Sequence, residues 1–312
     1  MENKIQTVSQ IIDKIELPNP PPRPHKPVTY EMRKLSNPND PVVIQHDADM
    51  KLFNDYWESI KPVIELIKKE PLKKLVEVDV LSVYDLFKKK YFEINKKHFD
   101  KDVNRGESKI LVFTLIYFFF RDEKFLKSPI VNKEITEPSL SKGILVLGGF
   151  GCGKTSIFKT FRQMFFDAEK EKDITIKDID GDEVHLHRYR RGYGYFSTNE
   201  AVQKYESCSN EEMKDRFWNV MKKGMIYFDD FMTERQASNY GKVELFKDIL
   251  ELRYDNKAVT MGSMNYFIDE FGNKLDTKGT MKAMAKKYGN RVYDRMFEMF
   301  NVIELNGTSV RK

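Results

Sequence analysis

An α/β fold is what this sequence predicts: a parallel five-stranded sheet preceded by a small α-helical N-terminal domain. Three observations predict it. From residue 143 onward, short apolar runs alternate with stretches of helical periodicity, the pattern of parallel strands joined by crossover helices. Ile144-Leu145-Val146-Leu147 leads into Gly148-Gly149-Phe150-Gly151-Cys152-Gly153-Lys154-Thr155, and behind that loop Ser156 to Phe166 carries helical apolar spacing. Further on, Ile226-Tyr227-Phe228 ends in Asp229-Asp230. Two acids thus stand at the C-terminal end of a buried strand, the edge at which open α/β sheets bind ligands.

Taken in order, residues 1–48 read as a flexible Pro-rich segment, 49–130 as a helical partner-binding domain and 131–312 as the α/β domain. Residues 1–16 are a polar helix or a frayed tail, and Leu17 to Pro27 is a stiff, extended proline run. Helices are expected over about 51–69, 81–98 and 107–126. Their aromatic residues, among them Phe53, Trp57, Tyr84, Phe87 and Tyr91, form a small core that also offers a surface for a protein partner. Ile110 to Phe120 is the most apolar stretch; a bilayer needs ~20 such residues, so it reads as a buried helix. Ile174–Lys177 and Val184–His187 flank Asp180-Gly181 as a β-hairpin. The last strand runs from about Asn301 to Leu305, with a short tail and little or no room for a C-terminal lid.

The 312 residues are 40% hydrophobic, enough for a real core, and the formal charge of +5 is what an ordinary solvated surface carries. Only Cys152 and Cys208 are present, so neither a disulfide framework nor a four-cysteine zinc site is available, and a reducing cytoplasm is the natural setting. Met1-Glu2-Asn3-Lys4 does not open a secretory signal, and no membrane segment is expected.

The chemistry begins at Gly148–Thr155, which spells G-x-x-x-x-G-K-T between strand and helix, a P-loop. Its glycines let backbone N–H groups curl around phosphates, and the helix beginning there adds its positive end. Gly148, Gly149, Phe150, Gly151, Cys152, Gly153, Lys154, Thr155 and Ser156 are therefore the expected ATP contacts. Lys154 reaches the β- and γ-phosphates and Thr155 offers its hydroxyl to Mg²⁺. Asp229 holds the hydrated Mg²⁺, and Asp230 orients or deprotonates the attacking water. Ala258 to Asn265 is a further strand whose last residue, Asn265, suits the γ-phosphate or the water; an Asn there also suits a turn.

Two arginines, Arg291 and Arg295, are four residues apart and share a helical face. One reading makes them a phosphate grip, with one of them inserted into a neighbouring subunit's nucleotide site to raise hydrolysis roughly 10³–10⁵-fold. The other makes them a solvated pair beside Asp294 and Glu298. The stretch His185 to Tyr195 mixes basic and aromatic residues. Arg188, Arg190, Arg191 and Tyr193 suit single-stranded DNA, where a stacked base is worth ~1–3 kcal/mol. The same residues also suit an outward strand face, with Tyr195 turned into the core.

These pieces, in this order, resemble the DnaC/DnaI group of helicase-loader AAA+ ATPases, relatives of the IstB transposition ATPases. The resemblance covers about 140–312. Asp229-Asp230-Phe231-Met232-Thr233-Glu234 is similar to the group's D-D-I-G-A-E, with Met232 in the place of glycine. Ile249 to Tyr254 resembles I-L-x-x-R-Y, Thr260 to Asn265 resembles T-I-x-T-S-N, and Gly289-Asn290-Arg291 through Arg295 resembles G-x-R-V-x-x-R. Gly307 to Arg311 resembles the terminal G-x-S-x-R, and the missing lid fits the same group. The resemblance implies an AAA+ P-loop NTPase core and a homo-oligomer on single-stranded DNA that delivers a replicative helicase. It implies Arg295, beside Arg291, as the trans-acting finger, Arg311 as a nucleotide sensor and Glu234 close to the Mg²⁺ site. A transposition ATPase that recruits a transposase, or a nucleotide-gated adaptor with little turnover, stands as the alternative; a phage or plasmid origin goes with either. Residues 1–130 match none of the loaders' N-terminal regions.

Overall fold

The computed structural model describes residues 21–24, 26–27, 29–69, 76–101, 106–189, 191–238 and 241–306. The expected 1–16 tail, much of the proline run, Arg190 and Arg311 lie outside the described residues. The chain divides into two compact units, Met1–Leu75 and Val76–Lys312.

In the first unit, helix α1 (Tyr30–Ser36) packs on the long helix α2 (Pro41–Lys69). α2 begins ten residues before the expected 51. Pro41 brings a helical φ and no N–H in need of a partner, and the Asp40 carboxylate accepts the Val42 N–H at 2.8 Å. The Tyr30 ring lies 4.5 Å from His46, and its hydroxyl donates to Asp47.

The second unit opens with α3 (Val80–Asn95), capped by Asp79, whose carboxylate accepts from the N–H groups of Leu81 and Ser82. α4 (Gly106–Phe120) follows and is buried along most of its length, as its composition predicts. It stops at 120 rather than 126. Arg121 adopts a left-handed φ of 63°, and Asp122 then caps a short 3₁₀ turn over Glu123–Lys127. Strand β1 (Gly143–Gly148) and helix α5 (Lys154–Glu171) flank the Gly-rich loop. The expected hairpin is present as β2 (Thr175–Lys177) and β3 (Glu183–His185), paired antiparallel around Gly181. Next come β4 (Gly194–Ser197), α6 (Thr198–Glu206), α7 (Glu211–Met221) and β5 (Ile226–Asp229). A small ribbon, β6 (Ala237–Ser238) and β7 (Lys242–Val243), precedes α8 (Leu245–Asp255) and β8 (Thr260–Met264). Helices α9 (Thr277–Tyr288) and α10 (Asn290–Met299) run into β9 (Phe300–Leu305).

The five main strands form one sheet in the order β4-β5-β8-β1-β9, and every pairing is parallel. β1 lies between β8 and β9, and its side chains alternate. Ile144 and Val146 enter one core layer while Leu145 and Leu147 enter the other. Helices α6 to α10 cover the second layer. The first is covered by α3, α4 and α5, locked by aromatic contacts: Phe87 lies 4.8 Å and Phe119 5.2 Å from the Phe161 ring. The expected boundary at 130/131 falls inside the second unit, Val76–Lys312. The aromatic helices are one of the two layers that keep the sheet dry, so their apolar faces belong to the α/β core. Among the described residues no helix is long and apolar enough to cross a membrane.

Candidate active site

Parallel pairing points every C-terminal strand end to one edge of the sheet, and there the sequence motifs converge. The loop after β1 turns through two glycines in left-handed conformations, Gly151 at φ 78° and Gly153 at φ 91°. A side chain at Gly148 would press on Cys152 Sγ and the Leu305 carbonyl at 3.0 Å. Helix α5 starts at Lys154 with no side chain capping it, so the first-turn N–H groups of Lys154, Thr155 and Ser156 have no partner within the helix. A loop of this shape at a helix N-terminus suits an anion. Phe150 is exposed at the loop's crest, and Cys152 is buried beneath it.

Lys154 is buried, and its Nζ lies 2.9 Å from the Gly148 carbonyl, 3.0 Å from that of Gly149 and 3.0 Å from Asn265 Oδ1. The predicted lysine and the predicted strand-end asparagine therefore meet, 111 residues apart in sequence. Thr155 Oγ1 donates to Asp229 Oδ2 at 2.8 Å. The Thr155–Asp229 pair supplies hard oxygen donors that fit Mg²⁺, which takes one or two protein oxygens and completes its octahedron with phosphate and water. Among the described residues no group of three His, Cys, Asp or Glu side chains is placed to hold a metal by itself.

Three residues around Asp229 escaped sequence reasoning. The Tyr195 hydroxyl donates to Oδ2 at 2.7 Å, while Tyr227 and Ser263 donate to Oδ1 at 2.9 and 2.5 Å. Burial, reinforced by the Asp229 charge, pushes both phenols well above the ordinary tyrosine range, so they stay protonated donors. Strand period was the available signal: Tyr227 is two residues before Asp229 on the same face, and Tyr195 is its register partner on β4.

Asp230 stands next to this cluster, with a left-handed φ of 58°, a conformation that aspartate tolerates better than most residues. Its carbonyl accepts from the hydroxyls of Thr198 and Thr233. Phe231 then plugs against Gly262 of β8, where a Cβ would come within 2.3 Å of the ring. Met232, in the place of a glycine, also holds a left-handed φ of 73°. The Met232 N–H donates to the Tyr288 hydroxyl, which donates to Glu234, and Glu234 pairs with Lys287 at 2.7 Å. The buried Glu234 is therefore a brace for the turn after β5, bonded to Tyr288 and Lys287 of α9.

Arg291 and Arg295 lie elsewhere. Arg295 stacks 4.3 Å over the Tyr254 ring and pairs with Asp255 at 3.2 Å, whereas Arg291 is exposed, 4.0 Å from Glu251. Tyr254 and Asp255 end α8, just before β8 begins, while Asn265 follows its end. Arg295 thus sits at the far end of the strand whose near end carries Asn265 to Lys154.

The predicted nucleic-acid stretch is only partly at the surface. His185 ends β3, and 186–189 is a 3₁₀ turn rather than a strand. Arg188 is exposed, and Arg191 is half-buried with its pKa pulled down by burial and by Arg121. Tyr193 is a core residue. Its ring stacks on Phe119 at 5.6 Å and its hydroxyl donates to the Phe158 carbonyl at 2.6 Å, so it cannot stack on a base. The segment enters the sheet edge at β4, which draws its apolar side inward.

Arg253, read only as part of a motif, is fully buried. Its guanidinium donates to the carbonyls of Met221, Gly224 and Val259 and to the Thr260 hydroxyl, and burial without a carboxylate lowers its pKa to about 10.

No family model matches the chain, and no curated protein matches it. Solved structures similar to it include the following two. That of the DnaC helicase loader is 18% identical with a TM-score of 0.40, over 70% of this chain and 99% of the other. That of DnaI is 17% identical with a TM-score of 0.34, over 63% of this chain and 82% of the other. The parallel strand order and the motif residues gathered at one sheet edge make the second unit a P-loop α/β core.

Proposed function

We propose that this chain is an ATP-hydrolysing, self-assembling switch that loads a replicative helicase onto single-stranded DNA. The observation that supports it most is the convergence of Lys154, Thr155, Asp229 and Asn265 at one strand edge, with Arg295 at the opposite end of β8. The Gly-rich loop and the α5 N-terminus bind the phosphates, and Lys154 exchanges the Gly148 and Gly149 carbonyls for phosphate oxygens. Thr155 and Asp229 would hold Mg²⁺, which would neutralise charge on the phosphates. Tyr195, Tyr227 and Ser263 keep Asp229 oriented. Asp230 takes the proton of the attacking water, and Asn265 aligns that water or the γ-phosphate. Arg295 cannot reach its own subunit's site, so it completes a neighbour's, with Arg291 beside it.

The helicase-loader assignment rests on the ordered motifs from Gly148 to Arg295, and the first unit with its aromatic α2 is the docking element for the helicase. Arg188 remains the candidate DNA contact. Capture assays with the full chain test the assignment: with ATP and single-stranded DNA it retains a replicative helicase and not a transposase. Retention of a transposase instead makes it a transposition ATPase. Equal single-turnover hydrolysis by wild type and Asp230→Asn makes it an adaptor and overturns the enzymatic reading.

A further inference from the structure

The loop between β8 and α9 is built to hold a phenylalanine out in water. Ile268 and Lys274 form an antiparallel bridge, and the Leu275 N–H donates to the Phe267 carbonyl. At the tip the Asp269 carboxylate accepts the N–H groups of Asn273 at 2.7 Å and Phe271 at 3.0 Å, and these bonds keep its pKa below the ordinary carboxylate range. Gly272 makes the turn at φ 82°. Phe271 is 82% exposed, with Ile268 and Phe267 beside it at 51% and 43%. A backbone tied at so many points cannot fold over to bury the ring, so the exposure is a property of the turn. Lys274 bends back to 3.8 Å over the Tyr266 ring, which leaves the tip acidic through Asp269 and Glu270.

At the other end of β8 is a cavity of about 420 Å³. Ala258, Val259 and Met299 give it apolar walls, and Lys142, whose ammonium donates to the Glu137 carbonyl, and Lys257 line it as well. Its carboxylates are already engaged, Asp255 by Arg295 and Glu298 by the Tyr254 hydroxyl. An acidic, aromatic tip therefore has a complementary receptor on the same chain. The two lie at opposite ends of a five-residue strand, about 16 Å of chain, so one copy cannot fill its own cavity.

We infer that the Phe271 loop of one copy docks in this cavity of the next copy. The contact is head-to-tail, and its repetition generates a ring or a filament. The inference rests on the proposed function. The cavity shares Tyr254 and Asp255 with Arg295, and the loop begins just past Asn265, so the contact that seats Phe271 also carries Arg295 toward the neighbour's Lys154.

The full chain, sedimented with Mg²⁺ and a non-hydrolysable ATP analogue over a concentration series, tests it. Phe271→Ser weakens assembly about 30-fold through lost apolar burial. Glu270→Lys and Lys257→Glu each weaken it about threefold, and the two combined recover wild-type strength. Binding of a fluorescent ATP analogue stays unchanged in all of them, which shows that each variant is folded. Phe271→Ser assembling as strongly as wild type, or a double charge reversal no better than the single ones, overturns the contact. If nucleotide still drives those variants to assemble normally, the shared nucleotide site stands without this contact. A chain that stays monomeric with saturating analogue overturns both.

Discussion

Asp229 and Asp230 are adjacent and chemically alike, yet their surroundings separate them. Asp229 receives four hydroxyl donors that fix its orientation, a placement suited to a cation. Asp230 sits past the strand end, where the left-handed turn redirects the chain. Asp230→Asn is expected to keep ATP affinity within about twofold and to lower turnover by roughly 10²–10⁴, read by equilibrium nucleotide binding and single-turnover hydrolysis. Tyr193 gives a contrasting expectation. Tyr193→Phe removes the hydrogen bond to the Phe158 carbonyl, costs about 1 kcal/mol in urea unfolding and leaves affinity for an oligonucleotide unchanged. Arg253 is a structural ion without a counter-charge. Arg253→Met leaves the Met221 and Gly224 carbonyls without this donor inside the protein and the Val259 carbonyl with the Ile226 N–H alone, and urea unfolding should show a loss of roughly 3–5 kcal/mol.

The turn after β5 shows how an element is held by its neighbours. Phe231 lies against Gly262, while Met232 and Glu234 are tied to Tyr288 and Lys287 of α9. The glycine in β8 is needed because any side chain there meets the ring. Gly262→Ala is expected to cost about 1–3 kcal/mol by displacing Phe231, and to slow hydrolysis because Asp230 moves with it. Thermal unfolding and single-turnover rates read the two effects separately. Motif spacing found β1, β5, β8 and the hairpin because each has a run of the right period beside a turn signal. It overran α4, since Phe125 and Leu126 continue the apolar pattern past the left-handed Arg121. It also missed that α3 and α4 cover the sheet, because an aromatic-rich helix looks the same whether it packs on its own neighbours or on a sheet.

Across the whole molecule, Arg295 and Lys154 lie at opposite ends of β8, and the proposed function therefore assigns Arg295 to a neighbouring copy's site. Arg295→Ala is expected to bind ATP normally and to lose DNA-stimulated hydrolysis. Mixing it with Asp230→Asn restores part of the stimulation, because each variant supplies the half-site that the other lacks. Absence of recovery in the mixed steady-state assay removes the trans assignment. The sequence by itself determined the strand–loop–helix at Gly148–Thr155, the acid pair at Asp229-Asp230, the strand that ends at Asn265 and the α/β class. Each is local, written in a few consecutive residues whose period and turn chemistry are readable in one dimension. Only the tertiary structure decided that Tyr195, Tyr227 and Ser263 converge on Asp229, that Glu234 braces α9, that Tyr193 is core and that Arg295 is remote from Lys154. Those are distances between strands, and they depend on the order β4-β5-β8-β1-β9, which hydrogen bonding and the burial of both sheet faces select.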